Sequence, residues 1–496
     1  MMLNSSETDS WLPDHQLLAD MKELRDYFER CYSYYAFNKN QFLIRYKGIQ
    51  EEIQHSKGMN LADFAFKLAS AVATFGDGHT FLKDLGDHVP SAAHLPFIIG
   101  MTKQPERKYV AYFWNTMNDL KSSNDPYKND RLSGFYIAGY PFVVSIDGID
   151  INEYRKTILN ISVSGRDTLN DTIFARRHSN INIARKILGL PFNRNIEAVF
   201  ENKKGKKISK TIKLIDTQLP NPPLPQNSSK IFKDSNIGYL RIPSLFSIDE
   251  LALSFIPKEQ VKEFFYNQPA SLSLRYWMGK FKNTDGLIID IRDASGGYRH
   301  VAEVLVPYLL GPKHKPIIYN VSGYQVSDPG DHPYHRFYRK LGDSTLSQSE
   351  IEAIQKLKFN PKKKLIKKLV KSPWYFAIVS QDKKNAYHYN KPVVLLINEN
   401  LFSAGDNVAN ALSLPKNVYV IGNETGGGSS GPQVIKLKNT HLKFLVSYMI
   451  SMKHTGELFE TRGVIPNEYV YPVPEFYAGI KDNVLDRAVE YIRKQF

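Results

Sequence analysis

Two apolar runs constrain this chain more than anything else in its sequence: Gly286-Leu287-Ile288-Ile289-Asp290-Ile291 and Val393-Val394-Leu395-Leu396-Ile397. Neither alternates apolar with polar residues, so neither suits a sheet with one wet face. A strand that is apolar on both sides needs cover on both sides, which is the situation of parallel strands in α/β proteins. Each run stops at a polar loop, Arg292–Gly297 or Asn398–Asp406, and helical patterns follow at Val301–Leu310 and Ser403–Leu412. Ile237–Ile242 and Val418–Ile421 read as further strands. This βαβ rhythm predicts an α/β layer fold for residues 231–496.

The upstream half follows other patterns, and 496 residues are enough for two to four domains. Leu61, Phe64, Leu68, Ala71 and Phe75 fall at three- and four-residue spacings, which puts one apolar stripe on a helix ending at Gly76. Weaker helical stretches run over Leu17–Tyr34 and Phe42–His55, so residues 1–90 read as a helical region. Residues 91–219 read as β-rich. Phe142–Ile146 is a strand entering an Asp147-Gly148 turn, and Ile196–Phe200 and Thr211–Leu214 form a hairpin. The Pro-rich segment at 220–230 reads as a linker, and about 313–390 as a basic insertion in the α/β part.

Lys and Arg outnumber Asp and Glu by 65 to 50, giving +15, but the excess is spread out except for a run at Lys362–Lys368. A solvated helix face explains that run, and no zinc-finger spacing or aromatic-basic RNA signature accompanies it. Neither nucleic acid nor an integral membrane segment is expected, since no stretch approaches the ~18 apolar residues of a span. Cys31 is the only cysteine, so no intrachain disulfide forms. The first residues lack the basic and apolar regions of a signal peptide, and the compartment stays open, cytoplasmic or exported after trimming.

Reactive groups of open α/β sheets gather in loops after the carboxyl ends of strands. Gly296-Gly297 sits in one such loop, where bare backbone N–H groups can face a ligand. Ser403 sits in the other, at the start of a helix. Two readings of it stand together: an ordinary N-cap, or a nucleophile placed where a helix dipole favours negative charge. A serine nucleophile needs a base, and His79 in Gly76-Asp77-Gly78-His79-Thr80 is the histidine that stands out, with a plain loop histidine as its other reading. His332 and His335 lack a third ligand, so no metal site is assigned, and no cofactor is expected. Gly426-Gly427-Gly428-Ser429-Ser430-Gly431 matches G-x-G-x-x-G, yet Pro432 and a β-like run follow where a phosphate-binding helix should begin. Nucleotide binding is rejected, and Gly426, Gly427 and Gly428 are read as a loop lying close to a substrate backbone.

These motifs together resemble the tail-specific, C-terminal processing serine peptidases. The strand with its double glycine (Leu287–Gly297), Ser403-Ala404-Gly405-Asp406, the loop Ile421–Gly428, and Arg462-Gly463-Val464-Ile465-Pro466-Asn467 occur in the family's order, with Asn467 where an aspartate is usual. Phe142–Asp150 is similar to the end of a PDZ-like domain. The best-known members use a lysine in the glycine loop, and none is present here. The branch that includes the tricorn core and the chlamydial protease-like activity factor uses Asp-x-His and a glutamate before the closing Gly-Val instead, matched by Asp77-Gly78-His79 and Glu460.

The resemblance therefore implies Ser403 as nucleophile, His79 as general base, Glu460 as its orienting acid, and an oxyanion hole from the amides of Ala404 and of Gly296 or Gly297. It implies a ClpP/crotonase-like α/β peptidase core with an N-terminal helical region and a small β-rich PDZ-like domain. The expected activity is endopeptidase cleavage of extended or unfolded polypeptides, with polypeptide substrate as the partner and a homo-oligomer left open. The alternative is a catalytically inert peptide- or lipid-binding protein on the same fold.

Overall fold

A computed structural model describes residues 10–89, 93–103, 106–115, 132–161, 170–171, 174, 180–216, 229–242, 244–245, 256–330, 338–382, 384–460 and 462–496. The Pro-rich segment 220–225, His332 and His335 lie outside them. The chain divides into two units, each built from three separate stretches.

The first unit comprises residues 1–223, 432–447 and 471–483. It opens with the helices Asp14–Cys31, Tyr35–Ser56 and Leu61–Ala73. Asn60 caps the third by accepting from the Ala62 amide at 2.8 Å. Of the stripe read from the sequence, Phe64, Leu68 and Ala71 are buried along it and Leu61 is half-buried at its start. Phe75 is buried just past its end, which comes at Ala73 and not at Gly76. Phe28, Tyr32, Tyr35, Phe42 and Phe75 close around one another, with Phe42 stacked on Phe75 at 5.0 Å. An antiparallel sheet of seven strands follows, its path running Lys207–Lys213, Asn195–Glu201, Phe142–Ile146, Lys108–Asn115, Ile98–Thr102. Asp147 and Gly148 take φ of 50° and 76°, which gives the tight turn after Phe142–Ile146.

The second unit comprises residues 224–431, 448–470 and 484–496. Its main sheet runs Lys230–Phe232, Ile237–Arg241, Gly286–Asp290, Val393–Ile397, Val418–Gly422, Glu468–Tyr469. Only the first pair is antiparallel; the other pairs are parallel. The two-residue side-chain period explains why the central strands carry no polar alternation. Leu287, Ile289, Val393 and Leu395 face one way, into a core with the helices Pro269–Phe281, His300–Leu309 and Ala404–Ser413. Ile288, Val394 and Leu396 face the other way, against Val484, Ala488 and Ile492 of the helix Asn483–Arg493.

Much of the basic stretch 313–390 belongs to a second sheet of this unit. Ile317–Gly323 pairs antiparallel with both Tyr375–Val379 and Ile450–Met452 and is buried throughout.

His300 opens its helix fully buried, stacked on Phe265 at 6.2 Å, and neither ring nitrogen has a hydrogen-bond partner. Burial pushes its imidazole down to about 4, and the positive end of the helix dipole disfavours a cation there too. Above the unfolded pKa of about 6.5 neither state holds the proton, so this contribution to stability is fully present. As pH falls from there toward about 4, the unfolded chain binds a proton that the folded chain refuses, and about 3 kcal/mol is lost. Urea unfolding at pH 7 and pH 4.5 should show wild type losing about 2–3 kcal/mol more than His300→Leu. Equal losses would refute the assignment.

Candidate active site

The corner carrying Ser403 is made by the strand Val393–Ile397, the loop Asn398–Phe402 and the helix Ala404–Ser413. Ser403 sits at φ 59°, ψ −121°, a region that costs a non-glycine residue roughly 1–3 kcal/mol. Its amide donates to the Gly428 carbonyl at 2.6 Å, so that N–H is already used. Its hydroxyl makes no helix-capping hydrogen bond, which removes the ordinary N-cap reading. Strain is thus held at a half-buried serine that faces a glycine, an arrangement compatible with a reactive group.

That glycine is Gly296. A Cβ there would lie 3.4 Å from Ser403 Cβ and 3.9 Å from its Oγ, so the double-glycine loop and the serine meet directly. A Cβ on Gly405 would lie 2.6 Å from the Ala294 carbonyl, which explains why the helix can begin this close to the loop. Side-chain bonds tie the two loops together. Asn398 Nδ2 (3.0 Å) and Asn400 Nδ2 (2.6 Å) donate to Asp293 Oδ1, and the Asp293 amide donates back to Asn398 Oδ1 at 3.0 Å.

Beneath them, Asp290 is fully buried. Arg292 donates to it through Nε (2.9 Å) and Nη2 (2.7 Å), Arg241 Nη1 adds a bond at 2.9 Å, and Tyr239 donates at 2.7 Å. Burial alone would raise its pKa, but the two guanidiniums outweigh burial and hold the carboxyl well below the usual range. Sequence reading missed Asp290, Asp293 and Asn398 as organisers, although an aspartate inside an apolar strand was a usable signal.

Asp406, the fourth residue of the serine motif, is fully buried and shapes the glycine loop. It accepts from the amides of Gly427 and Gly428, each at 3.1 Å, and from the Thr425 hydroxyl. Thr425 in turn accepts from the Val464 amide at 2.7 Å, joining the loop to the closing motif. Asn467 pairs with Val420 in both directions at 2.8 Å, a role that an asparagine carbonyl fills as well as a carboxylate. A Cβ on Gly428 would run into the Phe402 ring, so no side chain fits there beside the serine while that ring stays. The strand Pro432–Lys436 follows the loop, where a nucleotide site would need a helix.

Ser403, Ala404, Gly296, Gly297, Gly426, Gly427, Gly428 and Glu460 all belong to the second unit. Glu460 is half-buried, and its Oε1 accepts from the Ser429 amide at 3.1 Å. Lys453 and His454 lie in this unit as well. Lys453 Nζ donates to the Gly463 carbonyl at 2.7 Å, which suits a charged clip better than a proton acceptor. His454 is half-buried, and burial, then the Lys453 ammonium, push its imidazole down.

His79 belongs to the first unit and is buried there. Asp77 explains the Asp-x-His spacing: its carboxylate accepts from the His79 amide at 3.0 Å and the Thr80 hydroxyl at 2.6 Å. Thr80 Oγ1 then accepts from the Ser447 amide at 3.1 Å, beside the pairing of Phe81–Leu82 with Lys443–Ser447.

Among known proteins, residues 236–470 match peptidase family S41. No curated protein matches the chain in sequence. Mature CPAF complexed with lactacystin aligns with 97% of this chain and 98% of its own at TM-score 0.63 and 13% identity. Mature CPAF alone aligns with 96% of each chain at TM-score 0.61 and 13% identity. The photosystem II D1 C-terminal processing protease covers 97% of each chain at 13% identity, with TM-score 0.41. At such identities the likeness to CPAF speaks for the fold.

Proposed function

We propose, from the premise that this chain belongs to peptidase family S41 and is a serine-type peptidase, that it is an endopeptidase cleaving extended or unfolded polypeptides through Ser403, His79 and Glu460. The observation that carries this reading is Ser403 itself, held at φ 59° against Gly296 with its hydroxyl outside any helix cap.

In this reading Ser403 Oγ attacks the scissile carbonyl carbon while His79 takes the hydroxyl proton. Glu460 fixes the imidazole tautomer and stabilises the imidazolium. The amides of Ala404 and of Gly296 or Gly297 receive the oxyanion, each donor worth about 3 kcal/mol. The Ser403 amide cannot share this task because Gly428 already holds it. His79 then returns the proton to the leaving amine as the C–N bond breaks. Water, activated by the same imidazole, releases the acyl group from Ser403. Gly426, Gly427 and Gly428 line the substrate backbone, and the β-rich, PDZ-like part of the first unit presents the extended chain by strand addition.

A fluorophosphonate probe tests the reading directly. Wild type should be labelled at Ser403, as read by peptide mapping, and Ser403→Ala should not be labelled. An unlabelled wild type that holds peptides without cleaving them would favour the inert binding protein instead.

A further inference from the structure

The Ser429 amide donates to Glu460 Oε1, and Ser429 is the end of a longer chain of polar groups. Ser429 Oγ is hydrogen-bonded to Ser451 Oγ, and Asn320 Nδ2 donates to Ser451 Oγ at 2.7 Å. All three side chains are buried, Asn320 and Ser451 completely. Asn320 interrupts an otherwise apolar segment, Ile317-Ile318-Tyr319 and then Val321, on a strand with no exposed residue. Burying an amide and two hydroxyls costs about 1–3 kcal/mol each unless partners are supplied, so apolar residues would fill this space more cheaply.

The Asn320 amide nitrogen only donates, so Ser451 Oγ accepts there, and it shares a further hydrogen bond with the Ser429 hydroxyl. Ser451 grips the acid's segment a second way. Its carbonyl accepts from the amide of Phe459, the residue before Glu460, at 3.3 Å. The turn between them is closed by Lys453 and Glu457, whose amide and carbonyl meet at 2.8 Å, and by the Met452–Leu458 bridge.

We propose that Asn320, Ser451 and Ser429 form a positioning chain that holds the Glu460 carboxylate in register, with Ser451 as its node. The proposal rests on the reading of Glu460 as the orienting acid. None of the three touches the reacting atoms; each acts through Glu460.

The test compares Ser451→Ala, Asn320→Ala and Ser451→Thr in the full chain, with rates normalised to fluorophosphonate-titrated sites. Ser451→Ala and Asn320→Ala should each lower kcat/KM about 10–100-fold, with the loss in kcat and KM within about twofold, as for outer-shell partners elsewhere. Ser451→Thr keeps the hydroxyl and should restore most of the rate. A carboxylate beside the base raises the base's pKa, so a loosened Glu460 should move the acid limb of the kcat/KM profile to lower pH. A purely structural role would lower thermal stability without moving that limb.

Wild-type kcat/KM and an unmoved acid limb in both alanine variants would overturn the chain. Activity retained in Ser403→Ala or in Glu460→Gln would instead overturn the reading beneath it, so the two failures are told apart.

Discussion

Alanine in place of Ser403 should leave a protein that folds as before and cleaves almost nothing, with kcat/KM for a casein-derived peptide down about 10⁶-fold. At 1.36 kcal/mol per decade this is a loss of roughly 8 kcal/mol of transition-state stabilisation. Stability should barely respond. A capping serine replaced by alanine would cost about 0.5–2 kcal/mol, but this hydroxyl caps nothing, so the change in unfolding free energy should stay within about 0.5 kcal/mol. Alanine meets the same strain at φ 59° that serine does, so the corner itself gains no relief. Rates from a quenched peptide and urea unfolding of both proteins settle the matter. Activity within tenfold of wild type would end the case for Ser403.

The second large effect concerns His79. Its replacement by alanine should cost about 10⁴–10⁶-fold in kcat/KM, because a serine hydroxyl at its free pKa is a poor nucleophile. Residues that act as a unit are not additive, so the double variant Ser403→Ala/His79→Ala should be no slower than Ser403→Ala alone. If His79→Ala works within tenfold of wild type while Ser403→Ala does not, the base lies elsewhere. His454, half-buried in the unit that carries Ser403, is then the side chain to replace.

The parts of the fold that could be read in advance share one physical trait: their signal is local. Leu287–Ile291 and Val393–Ile397 had to be covered on both faces, and Asp147-Gly148 had to turn. The serine motif was legible because strand, corner and helix follow one another without interruption. The remainder depends on partners far along the chain. Ile317–Gly323 finds Ile450–Met452 across more than a hundred residues, and a basic neighbourhood hides its buried character. The clamp between Asp293 and Asn398 joins two loops whose residues are individually ordinary turn formers. Asp406 shows the same limit from the other side: in the sequence it is one letter of the serine motif, but its work on Thr425, Gly427 and Gly428 exists only in three dimensions.

The interleaving of the two units has a consequence for biosynthesis. The helix that shields one face of the parallel sheet is the Asn483–Arg493 segment, and Ile492 occupies the space beside Gly286 that a side chain there would need. At roughly 5–20 residues per second, that segment is polymerised about 4–18 seconds after Ser403. Until it emerges from the ribosome, Ile288, Val394 and Leu396 stay uncovered on the nascent chain. The core of this unit therefore closes only after its last helix has been made, long after the strands it covers.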